Sequence, residues 1–540
     1  MKKAILFFLL VQLFCFINIT YSQTVLPLNR DYTQQIEKSL IKKNISFHDS
    51  FKPFMGEDIQ ALINYDSLTN FSNRDSVFIN HFRHPWFWKK LRRENFLVIK
   101  TPDFSATIDP LFDIQIGQDV NAKTNHFVNT RGVEAKGKIG KDFFFQTNFY
   151  ENQATFVDYI NAFVDTFGVV PGQGKAKKFK NNGYDYSMAS GLISYSPNRH
   201  FNFQLGHGKH FIGDGYRSLL LSDNSFNYPF FEFSTSFWKI QYTTLYAVFQ
   251  DMNSTIMQVQ AYQKKYATIH YLSYNISNFI NLGLFESTIW QARADGKNIN
   301  YQWYYLNPLI AAQTITTSLN GIDNTMLGAN MRVKFLKHFS IYSQFVFDDW
   351  DFGKSNFSNG YLRNKFGYQT GLKYFDVLSL KNLYFQYEYN HVRPYTYSHY
   401  NPLQSYTNYN QPLAHPLGAN FSESVCILKY RIKDFFFEIK LNYAIYGADT
   451  GIANYGKNLF ASNHTANNGL DSYNNEFIQG VKTTLLIEDF RMQYLINPKT
   501  NMNIVLGVSD RNENSILENQ HSCFFYFGIR TSLSNFYCDF

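Results

Sequence analysis

Cysteine is scarce in this chain. Four occur in 540 residues, and Cys15 falls inside an apolar N-terminal run, leaving Cys426, Cys523 and Cys538. An odd number in an exported chain argues against a disulfide framework. Long apolar runs are missing too. Beyond the N-terminus nothing approaches the roughly 20 continuous apolar residues of a membrane helix. The mean hydropathy of −0.31 is likewise too polar for a helical membrane protein. Catalytic signatures are absent: no HExxH, GxSxG, P-loop or CxxC with partner ligands appears. An enzyme would have only Ser218 near His210 and Asp214, where the residue types are right but local spacing alone does not build a nucleophile. The acidic run Asp348, Asp349 and Asp351 carries Ca²⁺-type oxygens but reads as a solvated strand end. The chain therefore reads as non-enzymatic, with no metal, no cofactor and no nucleic-acid partner.

Aromatic residues are abundant: 19% of the chain, with 55 Phe and 39 Tyr. Lipid-facing strand positions and interfacial girdles absorb such an excess; a soluble sandwich has little use for it. The N-terminus agrees with export. Lys2 and Lys3 precede the apolar run Ala4 to Ile17, and Thr20 and Ser22 supply small residues before Gln23. Residues 1–22 read as a secretory signal peptide, with cleavage before Gln23 and no lipid anchor at Cys15.

From about residue 109 the chain alternates strand, short turn, strand and long loop. Val133, Ala135 and Ile139 oppose Glu134, Lys136 and Lys138; Phe143, Phe145 and Phe149 oppose Gln146 and Asn148. The same period of two sets Phe339, Ile341, Phe345 and Phe347 against Ser340, Gln344 and Asp348. It also sets Phe435, Phe437, Ile439, Leu441 and Tyr443 against Glu438, Lys440 and Asn442. Tight turns are expected at 140–142, 197–200, 276–278, 337–338, 433–434 and 497–500. Long polar stretches lie between them at 151–186, 207–227, 250–265, 289–324, 349–365, 391–422 and 446–476. Short turns at one end and long loops at the other are the asymmetry of an outer-membrane barrel. The expected fold is all-β: an antiparallel transmembrane barrel of about 18 strands (16–18) over residues 109–540, located in the cell outer membrane. The last stretch, Phe524 to Phe540, resembles the closing strand of such barrels. It alternates to a terminal aromatic and is expected to pair near 109–118, so that no edge faces lipid.

Residues 23–108 do not share the rhythm and read as a small periplasmic or lumen-inserted extension. Asp31–Lys43 has the makings of a short helix, and residues 81–93 (HFRHPWFWKKLRR) are basic and aromatic. That cluster reads as a solvated, Trp-anchored segment, with binding to lipid headgroups as the alternative.

Two loops gather ligand-binding residue types. In residues 206–217, His207, Lys209, His210, Asp214, Tyr216 and Arg217 stand among four glycines. Glycine permits positive φ and close backbone approach, and Arg217 suits bidentate carboxylate recognition. The alternative is that the glycines let the chain leave the wall and fold inward with its charges paired. In 391–421, Arg393, Tyr397, His399 and His415 stand among Tyr, Asn and Gln, the side chains that stack on sugars and bond hydroxyls. The net charge of +8 suits anionic surface glycans or lipopolysaccharide; lysines solvated in the lumen and loops would account for it equally.

Residues 171–180 (PGQGKAKKFK), 206–230 (GHGKHFIGDGYRSLLLSDNSFNYPF), 282–290 (LGLFESTIW) and 393–421 resemble Bacteroidota outer-membrane proteins grouped with the gliding-motility protein RemB. That group is in turn similar to the Wzi capsule-assembly barrels, and the resemblance spans roughly 105–540. It implies a non-enzymatic barrel serving surface organisation: gliding motility, or capsule (exopolysaccharide) attachment with binding of surface polysaccharide. Implied partners are outer-membrane lipid or lipopolysaccharide, surface polysaccharide and gliding or secretion machinery. A porin-like diffusion channel is the alternative, motivated by the strand number and polar inward faces.

Overall fold

The computed structural model describes residues 24–63, 85–180, 182–256, 261–294, 297–298, 303–310, 323–349, 359–451, 453–463, 473–531 and 535–540. The expected signal peptide and Asp351 lie outside them.

Among these residues, 18 strands close into one antiparallel barrel. They are β1 (Phe104–Asp119), β2 (Thr124–Ile139), β3 (Phe143–Thr155), β4 (Gly183–Asn198), β5 (Phe201–Gly208) and β6 (Tyr228–Phe237). Next come β7 (Ile240–Ile256), β8 (Ala261–Asn275), β9 (Ile280–Gln291), β10 (Asn324–Phe335), β11 (Phe339–Asp349) and β12 (Lys365–Phe375). The circuit ends with β13 (Leu383–Val392), β14 (Phe421–Ile432), β15 (Phe435–Ala448), β16 (Val481–Asn497), β17 (Met502–Ser515) and β18 (Asn519–Arg530). β18 closes on β1, with Phe524–Arg530 opposite Asp113–Asp119. No described helix is long and apolar enough to cross a membrane; the crossings are made by strands, whose backbone groups are satisfied by their neighbours. The protein is an outer-membrane-type transmembrane barrel.

Alternation decides which way each side chain points. On β15, Phe435, Ile439, Leu441 and Tyr443 are exposed on the outside while Asn442 is buried inside. On β11, Ile341 and Phe347 face out, and Ser340, Gln344 and Asp348 face in. The expected short turns all lie at one end, joined by turns at 238–239 and 376–382. Paired rings band the wall there: Phe143 with Tyr195 at 4.6 Å, Phe339 with Tyr374 at 4.1 Å and Phe435 with Tyr494 at 4.9 Å. This is an interfacial girdle at the end that, by its short turns, is periplasmic. At the other end, within the stretch 250–265 read as a loop, residues 250–256 and 261–265 belong to paired strands: β7 and β8 continue to Ile256↔Ala261.

Two boundaries differ from the sequence expectation. The wall begins at Phe104, five residues before 109, and Leu97–Lys100 adds a short strand against Ser105–Ile108. The closing strand stops at Arg530 instead of running to Phe540; Thr531 hydrogen-bonds Phe112, and residues 535–540 turn back into the lumen. Residues 24–63 of the N-terminal extension, with helices α1 (Arg30–Lys42) and α2 (Gly56–Leu62), sit inside the barrel. Asn29 caps α1 by accepting from the amides of Asp31 and Tyr32. The extension is tied to inward-facing strand residues: Glu37 to Lys373 at 2.6 Å, Asp31 to Lys429 at 2.8 Å, and His48 to Ser273 at 2.8 Å.

Candidate functional site

The glycine-rich loop folds inward. After β5 the chain turns into the lumen, pairs Phe211 and Ile212 with Lys52 and Phe51 of the N-terminal extension, and returns to the wall at β6. Of its glycines, Gly213 alone has the positive φ (149°) that an L-residue resists. At Gly215 the need is space: an added Cβ would fall 2.3 Å from Glu388 Oε2. Leu219, Leu220 and Leu221 are fully buried in one apolar cluster with Phe51, Tyr397, Tyr406 and Leu413. The loop, the extension and the C-terminal tail therefore fill the middle of the barrel.

Arg217 sits at their junction and is 0% exposed. Its guanidinium donates to Glu423 Oε1 (2.8 Å) on β14, and to Asp539 Oδ1 (3.0 Å) and the Asp539 carbonyl (2.7 Å) in the tail. Its amide and that of Tyr216 donate to the two oxygens of Glu388 at 3.0 and 2.6 Å. His415 Nε2 lies 2.7 Å from Glu423 Oε2, and Lys440 Nζ donates to Asp539 Oδ2 at 2.7 Å. Burial alone would raise the Asp539 carboxyl; the charges of Arg217 and Lys440 outweigh it and hold the group well below the usual carboxylate range. Burial also pushes His415 down, against the pull of Glu423.

The sequence-derived candidates separate accordingly. Tyr216, Arg217 and His415 come together, but around carboxylates of this chain. Lys209 is buried and donates to the carbonyls of Gly172 (2.6 Å) and Asp223 (3.1 Å). Burial brings it down to about 8, against the opposing charge of Asp223. His210 contacts Tyr228 Oη (3.1 Å) and Glu232 (3.2 Å), and Asp214 accepts from Ser50 (2.9 Å) and Asn330 (2.8 Å). Ser218 Oγ is fully buried, donates to the Ile212 carbonyl and accepts from the Leu220 amide. His207, half-buried, rests on the Ala189 carbonyl. The inward-folding alternative for this loop describes these contacts.

The second loop crosses the top of the filling. Tyr397 is buried, with Oη donating to the Leu219 carbonyl at 2.8 Å and its amide to Asp348. Arg393 braces the outer loops, donating to the carbonyls of Asn364 and Asn475 at 3.0 Å each. His399 is half-buried beside Tyr400, ring centroids 4.2 Å apart, and burial with the nearby Lys365 charge takes it down to about 3, so it is neutral near pH 7. Tyr400 (36% exposed) and Tyr473 (46%) present rings at the outer surface. Sequence reading missed Glu388, Glu423 and Asp539, because inward carboxylates on strands look like any polar alternate position. Among the described residues no His/Cys/Asp/Glu group has metal-site geometry.

No family model matches the chain, and no curated protein does either. Solved structures do. Wzi of Escherichia coli, described as a carbohydrate-binding β-barrel involved in group 1 capsule assembly, aligns at a TM-score of 0.55 and 12% identity over 95% of this chain and 100% of its own. Acinetobacter baumannii OccAB2 aligns at a TM-score of 0.42 and 10% identity, covering 79% of this chain and 97% of that one. Pseudomonas aeruginosa OprD gives 0.42 and 10%, covering 79% and 96%. The barrel architecture is shared with Wzi.

Proposed function

We propose that this chain is a sealed, non-enzymatic outer-membrane barrel that binds surface polysaccharide through its outer loops, in capsule attachment or in surface organisation of gliding cells. The observation that carries the reading is the filled lumen: Arg217, Leu219–Leu221 and His415 are fully buried mid-barrel, where a diffusion channel needs water. The binding half is supported by the fold likeness to the carbohydrate-binding Wzi barrel. Half-exposed Tyr400 and Tyr473, amid Asn- and Gln-rich loops, add the side chains that stack on sugar rings. The interior candidates Lys209, His210, Asp214, Tyr216, Arg217 and His415 then act by holding the loops from below, while His399 and Arg393 lie nearest the binding face. A RemB-like role is the gliding form of this proposal, with gliding or secretion machinery as its partners.

The test is saturable binding of extracted surface polysaccharide to the purified barrel. Wild type should bind, and Tyr400→Ala or His399→Ala should bind more weakly. Equal binding by all three would overturn the assignment of the site.

A further inference from the structure

We infer that residues 85–100 form an in-plane anchor on the periplasmic leaflet of the outer membrane, binding anionic phospholipid. The segment PWFWKKLRRENFLVIK contains helix α3 (Pro85–Arg92) and the short strand Leu97–Lys100. Its outer side carries Trp86 (66% exposed), Phe87 (51%), Phe96 (60%), Leu97 (45%) and Ile99 (40%). Contiguous large apolar side chains at this exposure mark an interaction surface in any solvated protein.

Three observations say what covers them. First, depth: Arg92 Nη2 donates to Tyr494 Oη (3.4 Å), and Tyr494 is a girdle ring packed on Phe435. Second, continuity with the lipid-facing wall: β18 pairs with β1 only at Asp113–Asp119, and Leu97–Lys100 occupies the adjoining place along Ser105–Ile108. Opposed residues share a face, so Leu97 beside Ile108 and Ile99 beside Ala106 extend the surface presented by Ile114 and Ile116. Third, charge: Lys89 is exposed, and Lys90 and Arg92 are half-buried beside it, with Glu94 the one carboxylate of the segment, paired to Lys90 at 3.0 Å. Basic side chains beside aromatics at a bilayer boundary meet lipid phosphates.

The helix is fastened to the barrel. Asn497 Nδ2 donates to the carbonyls of Lys90 (2.9 Å) and Glu94 (3.0 Å), while Asp109 accepts from Asn95 Nδ2 (2.6 Å) and the Phe96 amide (2.7 Å). These bonds hold the apolar edge outward.

The test uses the full-length barrel in phosphatidylglycerol-containing nanodiscs, made with ordinary lipid or with lipid brominated near the carbonyl end of the chains. The emission removed by Trp86→Phe isolates the contribution of Trp86. It should be lost to quenching in brominated discs, and the thermal midpoint of wild type should rise with phosphatidylglycerol content more than that of a Lys89→Glu, Lys90→Glu variant. If the Trp86 emission is the same in both lipids, the residue faces water and the anchor is refuted. A quenched Trp86 with identical lipid dependence in both proteins would overturn the anionic-lipid part.

Discussion

Nη2 of Arg217 lies 2.8 Å from Oε1 of Glu423 in the middle of the barrel, with the two side chains 0% and 1% exposed. One residue belongs to a loop that left the wall and the other to a strand of it, so the pair fastens the filling to the barrel. Removing one member of a buried pair leaves an uncompensated charge and costs about 3–5 kcal/mol, whereas replacing both with well-packed uncharged groups is often near neutral. Arg217→Ala should lower the urea midpoint of the detergent-solubilised barrel strongly. Arg217→Met combined with Glu423→Gln should recover much of the loss, since Asp539 keeps Lys440.

Lys209 and Lys52 are both buried, and burial brings both down to about 8. The unfolded lysine titrates near 10.4. Below about pH 8 both states bind the proton, and the folded state carries the full cost of the buried charges. Between about 8 and 10.4 the unfolded chain binds more protons, so stability should rise with pH through that window. Urea midpoints at pH 7, 9 and 10 check this; Lys209→Met should flatten the rise.

Lys38 and Glu37 of α1 hold the extension to the wall through Asp376 and Lys373, both at 2.6 Å. In a Glu37→Gln, Lys38→Ala variant the extension should leave the lumen at a lower urea concentration than in wild type. Current through reconstituted barrels under increasing urea would report it as earlier channel opening.

The barrel was legible in the sequence because alternation with period two is imposed directly by a wall with lipid on one side. Val133 against Glu134, or Ile439 against Lys440, needs no knowledge of the interior. The filling was not legible for the same reason. Phe536, Cys538 and Phe540 alternate with Asn535, Tyr537 and Asp539 as a strand would, yet Tyr537 and Asp539 are buried in the lumen, since inward-folded chain and strand can share a rhythm. Likewise Arg217 in a glycine-rich loop has the same composition whether its partner is a ligand or Glu423. Only the inward carboxylates of β13, β14 and the tail decide between them.

On the outer surface, Tyr400→Ala should weaken polysaccharide binding about tenfold, equivalent to roughly 1.4 kcal/mol, and leave the thermal midpoint unchanged because the ring is partly exposed. Isothermal titration against the extracted polysaccharide, paired with a melting curve, separates the two effects.

A closed lumen is what separates a sealed binding barrel from a diffusion channel. Planar-bilayer recording of the wild-type barrel tests it directly. The filled interior predicts no steady open-channel current; a stable conductance of porin size would contradict it and restore the diffusion-channel reading.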